Sequence, residues 1–394
     1  MSRGRLSIVT LLFFAACDGD PAADAAAPLP DAPTVCATVP PPFEAGDPTG
    51  HPEPLGAAAG EVRAGRLTEA QLPEDPTGLA VWAAGDFVLA SDRVALLIED
   101  AGASDMYDPF GGRPVGVAAV EDGRLVRAGD FNEILFGFGP YLVETERVTV
   151  LADGSDGGPA IVRATGPIGR LEFLGDLLSA LAGEEDYSGL PAAMDYELRP
   201  GTDAVEVYFS LAQPQPRVVR VPFIVQGFLQ RYRMPIWTPD SGFTPPARAV
   251  PMAAFTLDDA TSYAWLASEG GALTPILDLS GVLALSSGSR TALAGCESGR
   301  FHFGTMVIGG PGLAGLQVAL ARRRGETLRT VRGTVLDEAG MPAPEVRVHA
   351  RRADGSHFAR VMPAADGTFE LAVPNEEVSF EGYAPGAPRV GPVT

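Results

Sequence analysis

Residues 204–211 read AVEVYFSL, and their period is two: Val205, Val207 and Phe209 share one apolar side while Glu206 and Tyr208 share the other. That alternation is the signature of a strand with one buried face. Working outward, the same β-branched and aromatic texture recurs between about Val62 and Arg324 in short runs such as 87–89, 94–98, 115–120, 141–151, 160–165, 217–225, 263–266 and 301–307. Gly, Asp and Pro turns break them up, and Asp122-Gly123 and Asp153-Gly154 have hairpin chemistry. Many short strands with few helical stretches predict an all-β chain, a large β-sandwich rather than a parallel α/β fold. Helical spacing is confined to Leu171–Ala182 and to Leu313–Arg323, where it competes with a strand reading of Leu316–Leu320.

The 394 residues suffice for two or three domains with ample core. All 29 basic residues are Arg, which removes Schiff-base chemistry and any P-loop lysine. A net charge of −21 repels phosphate backbones and anionic lipid, so no nucleic-acid partner and no polybasic membrane docking are expected.

The chain starts MSRGRLSIVTLLFFAAC, with Arg3 and Arg5 ahead of an apolar run too short to span a bilayer. Residues 1–16 read as a signal peptide. Ala15-Ala16-Cys17 resembles the lipobox of bacterial lipoproteins, with Phe14 where that box more usually has Leu. The resemblance implies cleavage before Cys17 and a diacylglyceryl thiol. It implies a cell-envelope location, periplasmic or surface-exposed, with membrane lipid as a partner. Residues 17–60, rich in Ala, Pro and Asp without an apolar period, read as a disordered tether. Cys36 falls in the tether and Cys296 in the body; outside the cytosol a disulfide between them is permitted, but two cysteines establish no framework.

A composition shift at Arg322-Arg323-Arg324-Gly325 separates residues 61–324 from a C-terminal unit, 327–394, and predicts that the two can be parted there. The unit alternates cleanly in 331–336, 346–350, 358–361 and 369–373, as a small Greek-key sandwich would. It resembles the carboxypeptidase regulatory-like family, of Ig/prealbumin-like and carbohydrate-binding-like fold. Gly333, Val335, Asp337, Gly340 and Pro342 match the opening of its pattern, and Asp366, Gly367, Phe369, Leu371, Val373 and Pro374 match its closing strand. The resemblance implies fold and no catalytic role. GDFVLASDRVALLIEDAG, DPFGG and GDFNEILFGFG in the larger unit are similar to the N-terminal β region of CehA/McbA-type secreted metallohydrolases, and the layout is similar to mutarotase-like supersandwiches. The first of these families carries a PHP catalytic domain downstream, and the His-x-His clusters of that domain are missing from this sequence.

Catalytic motifs are incomplete. His51, His302, His349 and His357 have no second His at i+2 or i+4, so no metal site and no cofactor are expected. Gly154-Ser155-Asp156-Gly157 has the wrong spacing for a nucleophile elbow, and Gly137-Phe138-Gly139 lacks a dinucleotide context. His302 with Glu133 is the one acid–base pair worth testing against a sugar hemiacetal. Glu99, Asp100, Asp105, Asp108, Asp130 and Glu133 crowd together, as 50 acids in one chain will do on a solvated face. The best binding signal is aromatic. Phe131, Phe136, Phe138 and Tyr141 lie near Asn132 and Glu133, and Phe228, Tyr232, Trp237 and Phe243 lie near Arg231, Arg233 and Asp240. Rings beside polar groups suit sugars, and the loop-like 235–246 favours an accessible Trp237. The expected function is a lipid-anchored, non-catalytic envelope protein that binds a glycan or an envelope protein through Trp237, Tyr232, Phe138, Tyr141 and Glu133. The alternative is the accessory N-terminal portion of a larger secreted or surface metallohydrolase.

Overall fold

In a computed structural model, the described residues are 35–73, 82–102, 108–130, 133–137, 139–171, 186–221, 225–229, 235–268, 270–279, 282–286, 291–384 and 390–393. The architecture is all-β sandwich. Five strands, β1 (Val62–Arg66), β2 (Phe87–Ser91), β3 (Val94–Ile98), β4 (Pro114–Glu121) and β5 (Arg124–Asp130), form an antiparallel meander. Every residue of β2 and β3 is buried, because this sheet is covered on both faces. Its inner face (Phe87, Leu89, Leu96, Ile98) meets the main core; its outer face (Val88, Ala90, Leu97) packs under Leu55, Leu67 and Trp82.

Opposite lies a nine-stranded sheet. Its path runs β14 (Ile236–Trp237), β15 (Met252–Phe255), β16 (Ser262–Ala267), β20 (Ser298–Gly309), β11 (Ala204–Ala212), β10 (Pro191–Leu198), β9 (Ala160–Arg170) and β7 (Tyr141–Val143), with β8 (Arg147–Asp153) also on β9. Smaller pieces complete this unit: β6 (Glu133–Gly137), β13 (Val225–Leu229), β17 (Thr274–Leu279) and β18 (Val282–Ser286) in one sheet, and β12 (Val219–Val221) with β19 (Thr291–Leu293). The alternation in 204–211 is realised: Val205, Val207, Phe209 and Leu211 point into the main core.

The nine-stranded sheet therefore has an inner face in the core and an outer face, and the outer face is divided. Half of it, Ala204, Trp237, Met252, Ala254, Ala264 and Val307, is covered by α1 (Gly312–Arg324) through Leu313, Leu316, Ala319 and Leu320. The segment is a helix and not the strand that 316–320 also allowed, because Leu313, Leu316, Gln317 and Leu320 recur at helical spacing on a buried side. Gly325 ends it in the left-handed region at φ 66°, which only Gly adopts cheaply. Leu171 is described, but the remainder of the expected helix 171–182 lies outside the described residues.

The C-terminal residues form β21 (Leu328–Thr334) paired with β24 (Thr368–Pro374), and a sheet ordered β23 (His357–Val361), β22 (Arg347–Arg352), β25 (Val378–Tyr383) and β26 (Val390–Val393). Ala350, Phe358, Leu371, Val373 and Val378 form their core. The 322–325 boundary is no bare linker. Arg322 pairs with Asp203, Arg323 with Glu206 and Arg324 with Glu326, and Gln317 on α1 donates to the Phe358 carbonyl at 2.7 Å.

The expected tether, 17–60, is also corrected at its C-terminal end. Asp47 bridges Val150, His51 N donates to Ala64 O at 2.8 Å and Leu55 is 2% exposed, so backbone pairing and burial order this stretch despite its composition. Cys36 and Cys296 are joined in a disulfide across 260 residues. No described helix is long and apolar enough to cross a membrane.

Candidate ligand-binding face

The residues singled out by sequence do not converge. Trp237 is 3% exposed, not accessible: it sits at the sheet edge, where His357 of the C-terminal unit covers it and accepts from its Nε1 at 2.9 Å. His357 Nδ1 is thus an acceptor, so its Nε2 carries the proton and donates to His349 Nδ1 at 2.9 Å. Burial, reinforced by the charges of His349, Arg351 and Arg360, pushes His357 down to about 3. Phe243 completes this junction beneath Arg360, whose guanidinium lies 4.1 Å from the ring and also pairs with Asp258.

Glu133 is 0% exposed and sits at an ion cluster, with Arg113 Nε 3.3 Å away and the Asp108 N–H donating to it at 3.1 Å. Burial pushes the Asp108 carboxyl up, and the Arg113 charge pulls against it. Neither acid offers a surface to a ligand. Phe136 packs against Tyr196, Trp265 and Phe303 in the core. Tyr141 is partly buried, edge-on to Tyr187 at 5.2 Å. Asp240 is exposed and pairs with Arg248. Cys17, Asp105, Phe131, Asn132, Phe138, Arg231, Tyr232 and Arg233 lie outside the described residues, and so do the side chains of Asp130 and Phe228.

Functional chemistry gathers instead on the open half of the outer face. Strand register sets Arg163, Asp195, Tyr208 and His302 in one row across β9, β10, β11 and β20, and Glu197, Glu206 and Thr305 in the next. A bulge makes this possible. His302 and Thr305 are three apart, so a regular strand would send them to opposite faces. The register of β20 shifts at Val207/Tyr208, Phe303 turns into the core, and both polar side chains face outward.

The face is held together by charge. Arg163 grips Asp195 with two bonds, at 2.6 and 2.9 Å; Arg300 reaches Asp195 and Glu197 at 3.3 Å each and lies 3.5 Å over the Tyr208 ring. Glu197 and Glu206 stand directly opposite, a repulsive placement that Arg199, Arg300 and Arg323 offset. Glu206 takes 2.8 Å from His302 Nε2, 2.6 Å from Thr305 Oγ1 and 2.8 Å from Arg323. Burial opposes its charge, but those three hydrogen bonds outweigh it and hold the carboxyl down to about 2. The partner of His302 is therefore Glu206, not Glu133. Period two already pointed Glu206 outward; the signal that could have joined it to His302 lies in the bulge. At the far margin the N-terminal arm runs past, with Phe43 6.0 Å from the Arg163 guanidinium.

No protein-family model matches the chain, and no curated protein matches it in sequence. Among solved structures, the Slr1438 protein from Synechocystis sp. PCC 6803 aligns at 9% identity and TM-score 0.34, over 60% of this chain and 99% of that one. The GH36 alpha-galactosidases AgaA and AgaB from Geobacillus stearothermophilus align at 11% identity each, with TM-scores 0.34 and 0.33. The matches span 59% and 60% of this chain and 42% of each enzyme.

Proposed function

We propose that the chain is a lipid-anchored cell-envelope protein whose large β unit binds carbohydrate without turning it over. The observation that carries the binding role is the open polar half of the outer face: guanidiniums held on buried carboxylates, beside the partly exposed ring of Tyr208. Such groups, locked by one another, present donors and acceptors to sugar hydroxyls at little entropic cost. Protonation disfavours turnover. Glu206, held near 2, stays ionised and is a poor proton donor or acceptor near neutral pH, and Asp195 is bound by two guanidiniums. The basic start, apolar run and Ala-Ala-Cys of residues 1–17 support the anchor.

The test is binding of purified chain to immobilised polysaccharides, with reducing-end release followed in the same samples. Wild-type protein is expected to bind saturably with no release, and Tyr208→Ala to weaken binding by about tenfold with unchanged circular dichroism. Release that vanishes in His302→Ala would sink the non-catalytic reading. Labelled palmitate should enter the protein in a bacterial host and be lost in Cys17→Ser; equal labelling of both would remove the anchor.

A further inference from the structure

The charges of the open face are layered. The carboxylates lie underneath: side-chain exposure is 1% for Asp195, 7% for Glu197 and 17% for Glu206. Three of their guanidinium partners lie outside, at 61% for Arg199, 43% for Arg300 and 36% for Arg323, with His302 at 30%, while Arg163 at 13% is largely buried beside Asp195. A chain of net charge −21 therefore turns a cationic surface outward at this one place on the sheet.

We infer that this face selects an anionic polysaccharide bearing carboxylates, of the uronic-acid class. The inference rests on the carbohydrate reading above and sharpens it. Burying the acids beneath the arginines fixes each guanidinium without cancelling it toward solvent, since a guanidinium carries five donors in a planar fork and Arg300 gives two to Asp195 and Glu197. The fork matches a planar carboxylate through paired N–H···O bonds, the geometry Arg163 already makes with Asp195. Polyphosphate is the less suitable anion here, because a long phosphate chain would meet the −21 field of the whole body with a charge at every unit, whereas a uronate spaces its charges along neutral rings. The direction of the charge also explains why an otherwise acidic protein sets Arg199, Arg300 and Arg323 over buried acids on one patch.

The experiment compares polygalacturonate, dextran sulfate and neutral dextran with the full chain at low and high salt. Polygalacturonate is expected to bind tightest and to lose about tenfold in affinity when salt screens the guanidiniums. Arg199→Ala, at the most exposed of them, should cost several-fold for polygalacturonate and nothing for dextran. Arg300→Lys, which keeps the charge and loses the fork, should cost nearly as much as Arg300→Ala. Dextran sulfate binding as tightly as polygalacturonate would overturn the carboxylate assignment. Neutral dextran binding equally well, insensitive to salt, would overturn the charge assignment and leave glycan binding standing. If none of the three polymers binds, this inference and the carbohydrate reading fall together.

Discussion

The two halves of the outer face belong to the same strands and obey opposite rules. On β11, Ala204 lies under α1 while Glu206 and Tyr208, two and four residues on, are partly exposed; on β20, Val307 is covered by apolar side chains, Thr305 is buried under Arg323, and His302 is partly exposed. The covered half is stabilised by exclusion of water, which is nondirectional and not screened by salt. The open half is stabilised by directional ion pairs whose acids are desolvated and whose bases are wet. One sheet thus serves as a floor for a helix and as the base of an ion-pair array, the local difference being which residues occupy the outward positions.

Four measurements would break or sharpen that contrast. Leu316→Ala, at 0% exposure on the buried side of α1, should cost about 4 kcal/mol in chemical denaturation, with no loss to charge screening at high salt. A loss below about 1 kcal/mol would mean that α1 is not what closes that half. Arg163→Ala leaves the buried Asp195 with only Arg300 and should cost about 3 kcal/mol. Its companion Asp195→Asn/Arg163→Ala should recover much of the loss; failure to recover would show that packing, not charge, holds the open half.

The third measurement uses pH. His357 borders the covered half, and its folded value of about 3 lies below the ordinary 6.5, so the folded state binds fewer protons than the unfolded chain. Stability is full above about 6.5 and falls as pH drops toward 3, by about 2 kcal/mol at pH 5. The open half answers later: Glu206, lowered from 4.5 to about 2, gives stability that is complete above 4.5 and lost as pH falls through 2. His357→Gln should flatten the slope between 6.5 and 5 while leaving the lower one. An unchanged slope would place the titration elsewhere. The smallest effect belongs to Arg332→Ala: its pair with Glu370 is 78% and 58% exposed, and the loss should stay under about 0.5 kcal/mol.

Much of the fold was legible because period two is a local property. Val205, Val207 and Phe209 declare their face within six residues, and the all-β class follows from repetition of that pattern. The site was less legible, since its contacts are set by long-range pairing and by one irregularity. Glu206 and His302 are 96 residues apart, and only the bulge at Phe303 brings His302 and Thr305 to the same side. Trp237 looked accessible because its neighbours are loop-like; a histidine 120 residues away covers it. Pro-rich residues 46–56 read as tether because composition does not reveal that Asp47 and His51 find backbone partners on β8 and β1.

The Cys36–Cys296 bond decides how far the body can travel from a membrane. With lipid carried at Cys17, as proposed above, the leash runs from residue 17 to residue 36, and its contour cannot exceed about 65 Å whatever shape it takes. Reduction of the disulfide moves the next fastening point to Glu44, whose carbonyl accepts from Arg163, which lengthens the leash by 8 residues, from 36 to 44, or at most about 30 Å. On that proposal, oxidation state would set the working radius of the arginine face without disturbing its ion pairs.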